Sequence, residues 1–263
     1  KTTNPIASFD GVAKRLQEEV VWMSDALEKD GLALLPTAMH PWMDPARETA
    51  LSPLGDQEVY QIYHRLFDCH THGWANLQSM HLNLAFAGDE EFGRLHGAVR
   101  LLLPLLPALC ASSPIMDRRT TGLLDTRLEV YQSNQRRFPA ITGDVIPEPI
   151  YSQSAYHAQI YGDIEKEIAP HDPERILEMP FLNSRGAIAR FDRGTIEIRL
   201  MDVQECPHAD LAIAEFVVAC LKVFAKCESY SGDTLQSAST AGLARLLADC
   251  QRGGMATRVA APE

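Results

Sequence analysis

Apolar positions recur along this chain with two periods. In SFDGVAKRLQEEVVWMSDALEKDG, Val12, Leu16, Val20, Met23 and Leu27 are spaced as on one helix face, with Ser8 or Asp10 placed to cap it and Gly31 to stop it. LALLPTAMHP follows as a short strand and loop, and DQEVYQIYHRLFDCHTHGWANLQ predicts a second helix running into a linker. In SMHLNLAF the period drops to two: Met80, Leu82, Leu84 and Phe86 face one way, Ser79, His81, Asn83 and Ala85 the other. GDEEFGRLHGAVRLLLPLLPALCASSP predicts a long helix with an acidic first turn, kinked at Pro104 and Pro107. A mixed segment ends in a Gly/Pro-rich loop near residue 149, and SQSAYHAQIYGDIEKEIA predicts another helix. GAIARFDRGTIEIRLMD predicts a β-hairpin turning at Asp192–Gly194, and HADLAIAEFVVACLKVFAKC and DTLQSASTAGLARLLADCQRGG predict two last helices.

Strands scattered among long helices, with no regular β–α alternation, predict an α+β fold with helices packed on one side of an antiparallel sheet. No repeat or low-complexity linker divides the chain, so residues 1–263 are expected to form a single domain. At 263 residues and 46% hydrophobic, the chain can bury a substantial core. Its formal net charge of -11 gives no general attraction to nucleic acid or anionic lipid, so neither is an expected partner. Six scattered cysteines without a C-x-x-C pair predict reduced thiols rather than disulfide staples. No run reaches the ~18 to 20 apolar residues that span a bilayer, and no signal peptide is present, so a cytoplasmic location is expected. A homo-oligomer is compatible with the sequence but not specified by it.

The hairpin holds the first candidate chemistry. If its loop is the two residues Arg193–Gly194, Asp192 pairs with Thr195 and Arg190 lies opposite Glu197, so that Arg190, Glu197 and Arg199 share one sheet face. That face is either a solvated surface with cross-strand ion pairs or the floor of a cleft. His81 and Asn83, two apart on one face of the SMHLNLAF strand, could ligate a metal or donate hydrogen bonds. Arg118, Arg119, Arg127, Arg136 and Arg137 fall within twenty residues of an acidic chain, with Tyr131 and Asn134 between them, and guanidinium forks suit carboxylates and phosphates. No Gly-rich phosphate loop and no G-x-S-x-G occurs, which argues against P-loop, Rossmann and α/β-hydrolase chemistry.

Taken together and in order, these motifs resemble the glutamate–cysteine ligases and the related carboxylate–amine ligases. TIEIRLMD resembles the family's E-x-R-x-x-D strand, and QSMHLNLAF its Q-x-N or H-x-H strand. LPALCASSPIMDRRTTGLLDTRLEVYQ resembles its helix end, Gly-containing loop and substrate-contacting arginine, and GLALLPTAMHP the strand before its HP loop. The resemblance spans roughly residues 30 to 225. It implies a glutamine-synthetase-like antiparallel sheet cradle backed by helices. It also implies an ATP- and Mg²⁺-dependent reaction in which the γ-carboxylate of glutamate is phosphorylated and the acyl phosphate is attacked by an amine such as that of cysteine. By the same resemblance, Glu197 and His81 are expected at the metal, His81 and Asn83 along the ATP-facing strand, and Arg190 and Arg199 at the reacting phosphoryl group. Arg127, with Tyr131, Asn134, Arg136 and Arg137, is expected at the amino-acid substrate. The family's first strand, which carries an E-x-E pair, has no counterpart here and is expected before Lys1, making the domain N-terminally incomplete. Another amine acceptor, or a non-catalytic nucleotide- or carboxylate-binding relative of the same fold, are the alternatives this pattern leaves open.

Overall fold

The computed structural model describes residue 2 and residues 4–226 and 238–259. Cys227 and residues 233–237 of the last expected helix lie outside the described residues. The architecture is α+β: a three-stranded antiparallel sheet surrounded by helices, and a separate two-stranded hairpin. Strand β1 spans Ser79–Ala85, β2 Ile115–Met116, β3 Arg119–Thr120, β4 Ala187–Arg190 and β5 Thr195–Asp202. The sheet order is β1-β5-β4, so β5 is central.

The predicted helices form with local corrections. The first runs Val12–Glu28. The second ends at Phe67, because Asp68 adopts a left-handed conformation (φ 55°), and the chain re-enters helix only at His72–Ala75. The long proline-containing helix is Gly88–Leu102, followed by a 3-10 turn at Pro104 and a last piece, Leu106–Cys110, so the prolines act where expected. The segment 31–36, expected as a short strand, is exposed and pairs with no strand.

The core lies on one side of the sheet. Leu82 and Leu84 of β1, Ala187 and Ala189 of β4, and Ile196 and Ile198 of β5 pack with Phe92, Val99 and Tyr156 from the helices. The described cysteines, Cys69, Cys110, Cys206, Cys220 and Cys250, are free thiols, as expected.

Two features of β5 decide which side chains reach the other side. The hairpin loop is four residues, Phe191–Gly194, not two: Arg190 pairs with Thr195 and Ile188 with Glu197. The expected Asp192–Thr195 pairing is therefore off by two residues. A shift of two preserves side-chain parity, so Arg190 still shares a face with Glu197. Across β1, Met80 pairs with Met201 but Leu82 pairs with Ile198, so Arg199 and Leu200 together oppose His81. This β-bulge inserts one residue and inverts the parity of everything beyond it. Asp202 lies opposite Ser79 and Glu197 opposite Asn83, so the bulge brings both carboxylates to the polar face.

At Asp202 that face is sealed. Its carboxylate accepts hydrogen bonds from the Ser112 N–H (2.9 Å) and the Ser113 hydroxyl (2.8 Å), and forms a short ion pair with Arg127. Arg127 also donates to the Leu200 carbonyl in the bulge (2.5 Å). Arg127 sits in the Thr126–Ser133 helix, whose N-cap is Asp125; the cap carboxylate accepts from the Leu128 N–H at 2.8 Å. Asp125 is fully buried. Burial, and then the neighbouring Asp202, push its pKa up to about 7, against the opposing pull of Arg127.

A carboxyl with a raised folded pKa stabilises most below its unfolded value near 3.8, and that contribution is lost as pH rises through about 7. Asp125→Asn keeps an oxygen for the Leu128 N–H and removes the titration. It is expected to raise the melting temperature at pH 8 relative to the wild type, with the two proteins converging toward pH 4. Parallel melting curves across that range would contradict a buried proton at Asp125.

Candidate active site

The other end of the polar face is open only along β1, where His81 and Asn83 are exposed; Glu197, at its centre, is buried. Its side chain is only 8% exposed, and its Oε1 is approached by Arg199 Nη2 at 2.5 Å and by His81 Nδ1 at 3.2 Å. Its Oε2 lies 4.0 Å from Arg190 Nη1. Burial alone would raise the Glu197 pKa; the His81 hydrogen bond and the Arg199 guanidinium outweigh it and bring the value down to about 2. Glu197 is therefore an anion at any physiological pH.

Each neighbour is held from its far side. Arg190 receives a bidentate grip from Asp192 in the hairpin loop (3.2 and 3.1 Å), and its guanidinium stacks 4.8 Å over the Phe181 ring. The Arg190 hydrogen bonds in turn lower the Asp192 pKa. Arg199 has the Tyr131 phenol beside it. Burial works against its charge, but Tyr131 and Glu197 raise its pKa. Tyr131 lies four residues beyond Arg127 on one helix, so both side chains point toward β5: Arg127 at the sealed end and Tyr131 at the open end. Two buried polar atoms here, Arg199 Nε and Tyr131 OH, make no well-formed hydrogen bond.

His81 is the exposed member, its side chain 42% accessible. Nδ1 faces Glu197, and Nε2 lies 2.8 Å from the Ser79 hydroxyl. A carboxylate only accepts, so Nδ1 carries the proton of the neutral ring and Nε2 is left as an acceptor toward Ser79. Asn83 is exposed on the same face.

The expected substrate group does not assemble as a unit. Arg127 is 1% exposed and committed to Asp202 and Leu200, so it anchors the strand instead of meeting a substrate. Asn134 donates to the Gly73 carbonyl (3.2 Å), tying its helix to His72–Ala75. Arg136 and Arg137 are exposed, and Arg137 lies over the Phe138 ring at 5.1 Å. Of the five, only Tyr131 joins the Glu197 cluster. Arg118 and Arg119 form the exposed β2–β3 hairpin, outside that cluster. Ser79, Asp192 and Phe181, which patterning did not single out, belong to the site. The S-x-H spacing of Ser79 and His81 on one strand face was the available signal for the first.

The expected metal site fits poorly. Among the described residues no group of three or more His, Cys, Asp or Glu side chains could hold an ion. Glu197 supplies one carboxylate, with two guanidiniums within 4.0 Å of it. Both His81 ring nitrogens already have partners, and Mg²⁺ prefers oxygen ligands.

Residues 1–262 match the family described as Glutamate-cysteine ligase family 2. An uncharacterized protein of Archaeoglobus fulgidus is 36% identical over 222 residues, which cover 84% of this chain and 59% of that protein. The chain thus spans about three-fifths of that relative's length. With a family match over essentially its whole length, this chain belongs to glutamate–cysteine ligase family 2.

Proposed function

We propose that this chain carries the reacting face of an ATP-dependent carboxylate–amine ligase, joining the γ-carboxylate of glutamate to the amine of cysteine through an acyl phosphate. One observation carries the reading: two guanidiniums, Arg190 and Arg199, flank one ionised carboxylate beside the exposed His81 and Asn83. Family membership supports the reaction class.

Phosphoryl transfer needs little covalent help from a protein; it needs positive charge preorganised around the transferring oxygens. Arg190 and Arg199 supply it from rigid strands, and their carboxylate partners hold them still before substrate arrives. Magnesium is required by this chemistry as the partner of ATP phosphates. The described residues do not build a site for it.

Phosphate release from ATP and Mg²⁺ tests the reading, with glutamate present alone and with a panel of amines. Release dependent on both glutamate and cysteine is the expected result. Release with a different amine would keep the ligase and replace the acceptor. No release from folded, full-length protein under any combination would favour a binding relative without turnover.

A further inference from the structure

The helix Pro207–Lys226 is apolar on more than the face the core requires. Ala214, Val217 and Leu221 form its buried side. On the opposite side Ala212, Phe216, Ala219 and Val223 are exposed, Phe216 at 52% and Val223 at 60%. Their steps of four, three and four residues are those of a coiled-coil seam, the spacing that keeps one stripe of a helix turned toward a partner helix. Single apolar residues scattered over a surface are ordinary; a stripe in seam register is a contact surface.

We propose that two copies of this chain pair through this stripe, antiparallel about a two-fold axis. Size and charge along the helix both select that arrangement. Ala212 of one copy then faces Val223 of the other, and Phe216 faces Ala219. Each layer sets a small side chain against a larger one, so the two surfaces interdigitate. One flank of the stripe carries Glu215 and Lys222, both exposed. Seven residues separate them, about 10 Å along the helix, so they share the flank but cannot pair with each other. In the antiparallel pairing Glu215 of each copy meets Lys222 of the other, giving two ion pairs by symmetry. A parallel pairing would stack Phe216 on Phe216 and Ala219 on Ala219, and would set Glu215 opposite Cys220, with no cation to meet it.

The surface continues onto the helix Val12–Glu28, which packs beside Pro207–Lys226. Trp22 is 71% exposed there and borders a groove with Lys14, Glu18 and His208. His208 lies one turn before Ala212, so the groove sits where the stripe begins. In the antiparallel register the end of the partner helix reaches this groove, and Trp22 supplies the kind of large aromatic surface that anchors interfaces. The contact is far from the Glu197 cluster: Pro207–Lys226 packs on Gly88–Leu102, which covers the apolar face of the sheet, and the cluster lies on the other face.

Sedimentation equilibrium of the full-length protein tests the pairing. The wild type is expected to be a dimer. Glu215→Lys and Lys222→Glu each turn both ion pairs into like-charge contacts, and each is expected to weaken dimerisation by about tenfold. Mixed one to one, the two variants are expected to form a heterodimer as tight as the wild type, because every facing pair is then of opposite charge. Phe216→Asp is expected to give monomer with an unchanged far-UV circular dichroism spectrum, since the side chain is exposed in the single chain. A monomeric wild type would overturn the proposal and leave the stripe to a different partner. A dimer indifferent to Phe216→Asp would place the interface elsewhere. Single charge variants as tight as the wild type, or a mixture no tighter than its parts, would overturn the antiparallel register.

Discussion

Glu197→Gln is expected to leave the protein folded and to lower glutamate-dependent turnover by about 10²- to 10⁴-fold. The change is nearly isosteric, so its effect comes from charge and from hydrogen-bond polarity. Arg199 Nη2 and His81 Nδ1 both direct donors at Oε1, and Arg190 Nη1 faces Oε2. A carboxylate accepts from all three. An amide has a single oxygen: placed at Oε1, it turns its NH₂ toward Arg190; placed at Oε2, it turns its NH₂ toward His81 and Arg199. In the second arrangement the amide NH₂ meets the Arg199 Nη2 donor, and that pairing is lost. Both arrangements also leave the guanidiniums without the anion that positions them. Turnover and thermal melting, measured on the same preparation, separate the two contributions. Turnover within a few-fold of wild type would remove Glu197 from the reacting site.

Arg127→Met is expected to destabilise the fold by about 3 to 5 kcal/mol, the cost typical of breaking a buried ion pair from one side. Arg127 is 1% exposed and Asp202 fully buried. Without the guanidinium, Asp202 keeps its hydrogen bonds from Ser112 and Ser113 but loses the cation paired with it, with Asp125 buried nearby. The Leu200 carbonyl in the bulge loses its donor at the same time. Urea titration at pH 7 would read the loss. Addition of Asp202→Leu to Arg127→Met is expected to recover part of it, because the uncompensated charge is then removed. If Arg127 instead gripped a substrate carboxylate, stability would hardly move and the KM for amino acid would rise.

The contrast between these two residues shows what patterning along the chain can and cannot reach. The alternation in SMHLNLAF and TIEIRLMD is enforced by a core on one side, so the polar faces carrying His81, Asn83, Glu197 and Arg199 were legible. The face of Arg190 survived a wrong loop length because the error was two residues, not one. Arg127 was misread because five arginines close in sequence resemble an anion-binding patch. Only the helix beginning at Asp125 turns this one inward, onto a carboxylate 75 residues further along the chain. At His81 the partner that patterning did not show is on its own strand: the Ser79 hydroxyl lies 2.8 Å from Nε2. The bulge at Arg199–Leu200 leaves no mark in the sequence, because TIEIRLMD reads as an unbroken strand and the extra residue exists only relative to β1.

That bulge divides β5 into two reading frames. In Thr195–Arg199 the odd-numbered side chains face the open site. Beyond Leu200 the even-numbered Asp202 faces the same side and is tied down by Arg127. Substitutions in the first frame can alter what the site recognises while the second keeps the strand pinned. Deleting a single residue at Arg199–Leu200 would remove the bulge and merge the frames, with Asp202 still opposite Ser79. The face that Asp202 takes is therefore set by its register with β1, not by its distance from Glu197 along β5.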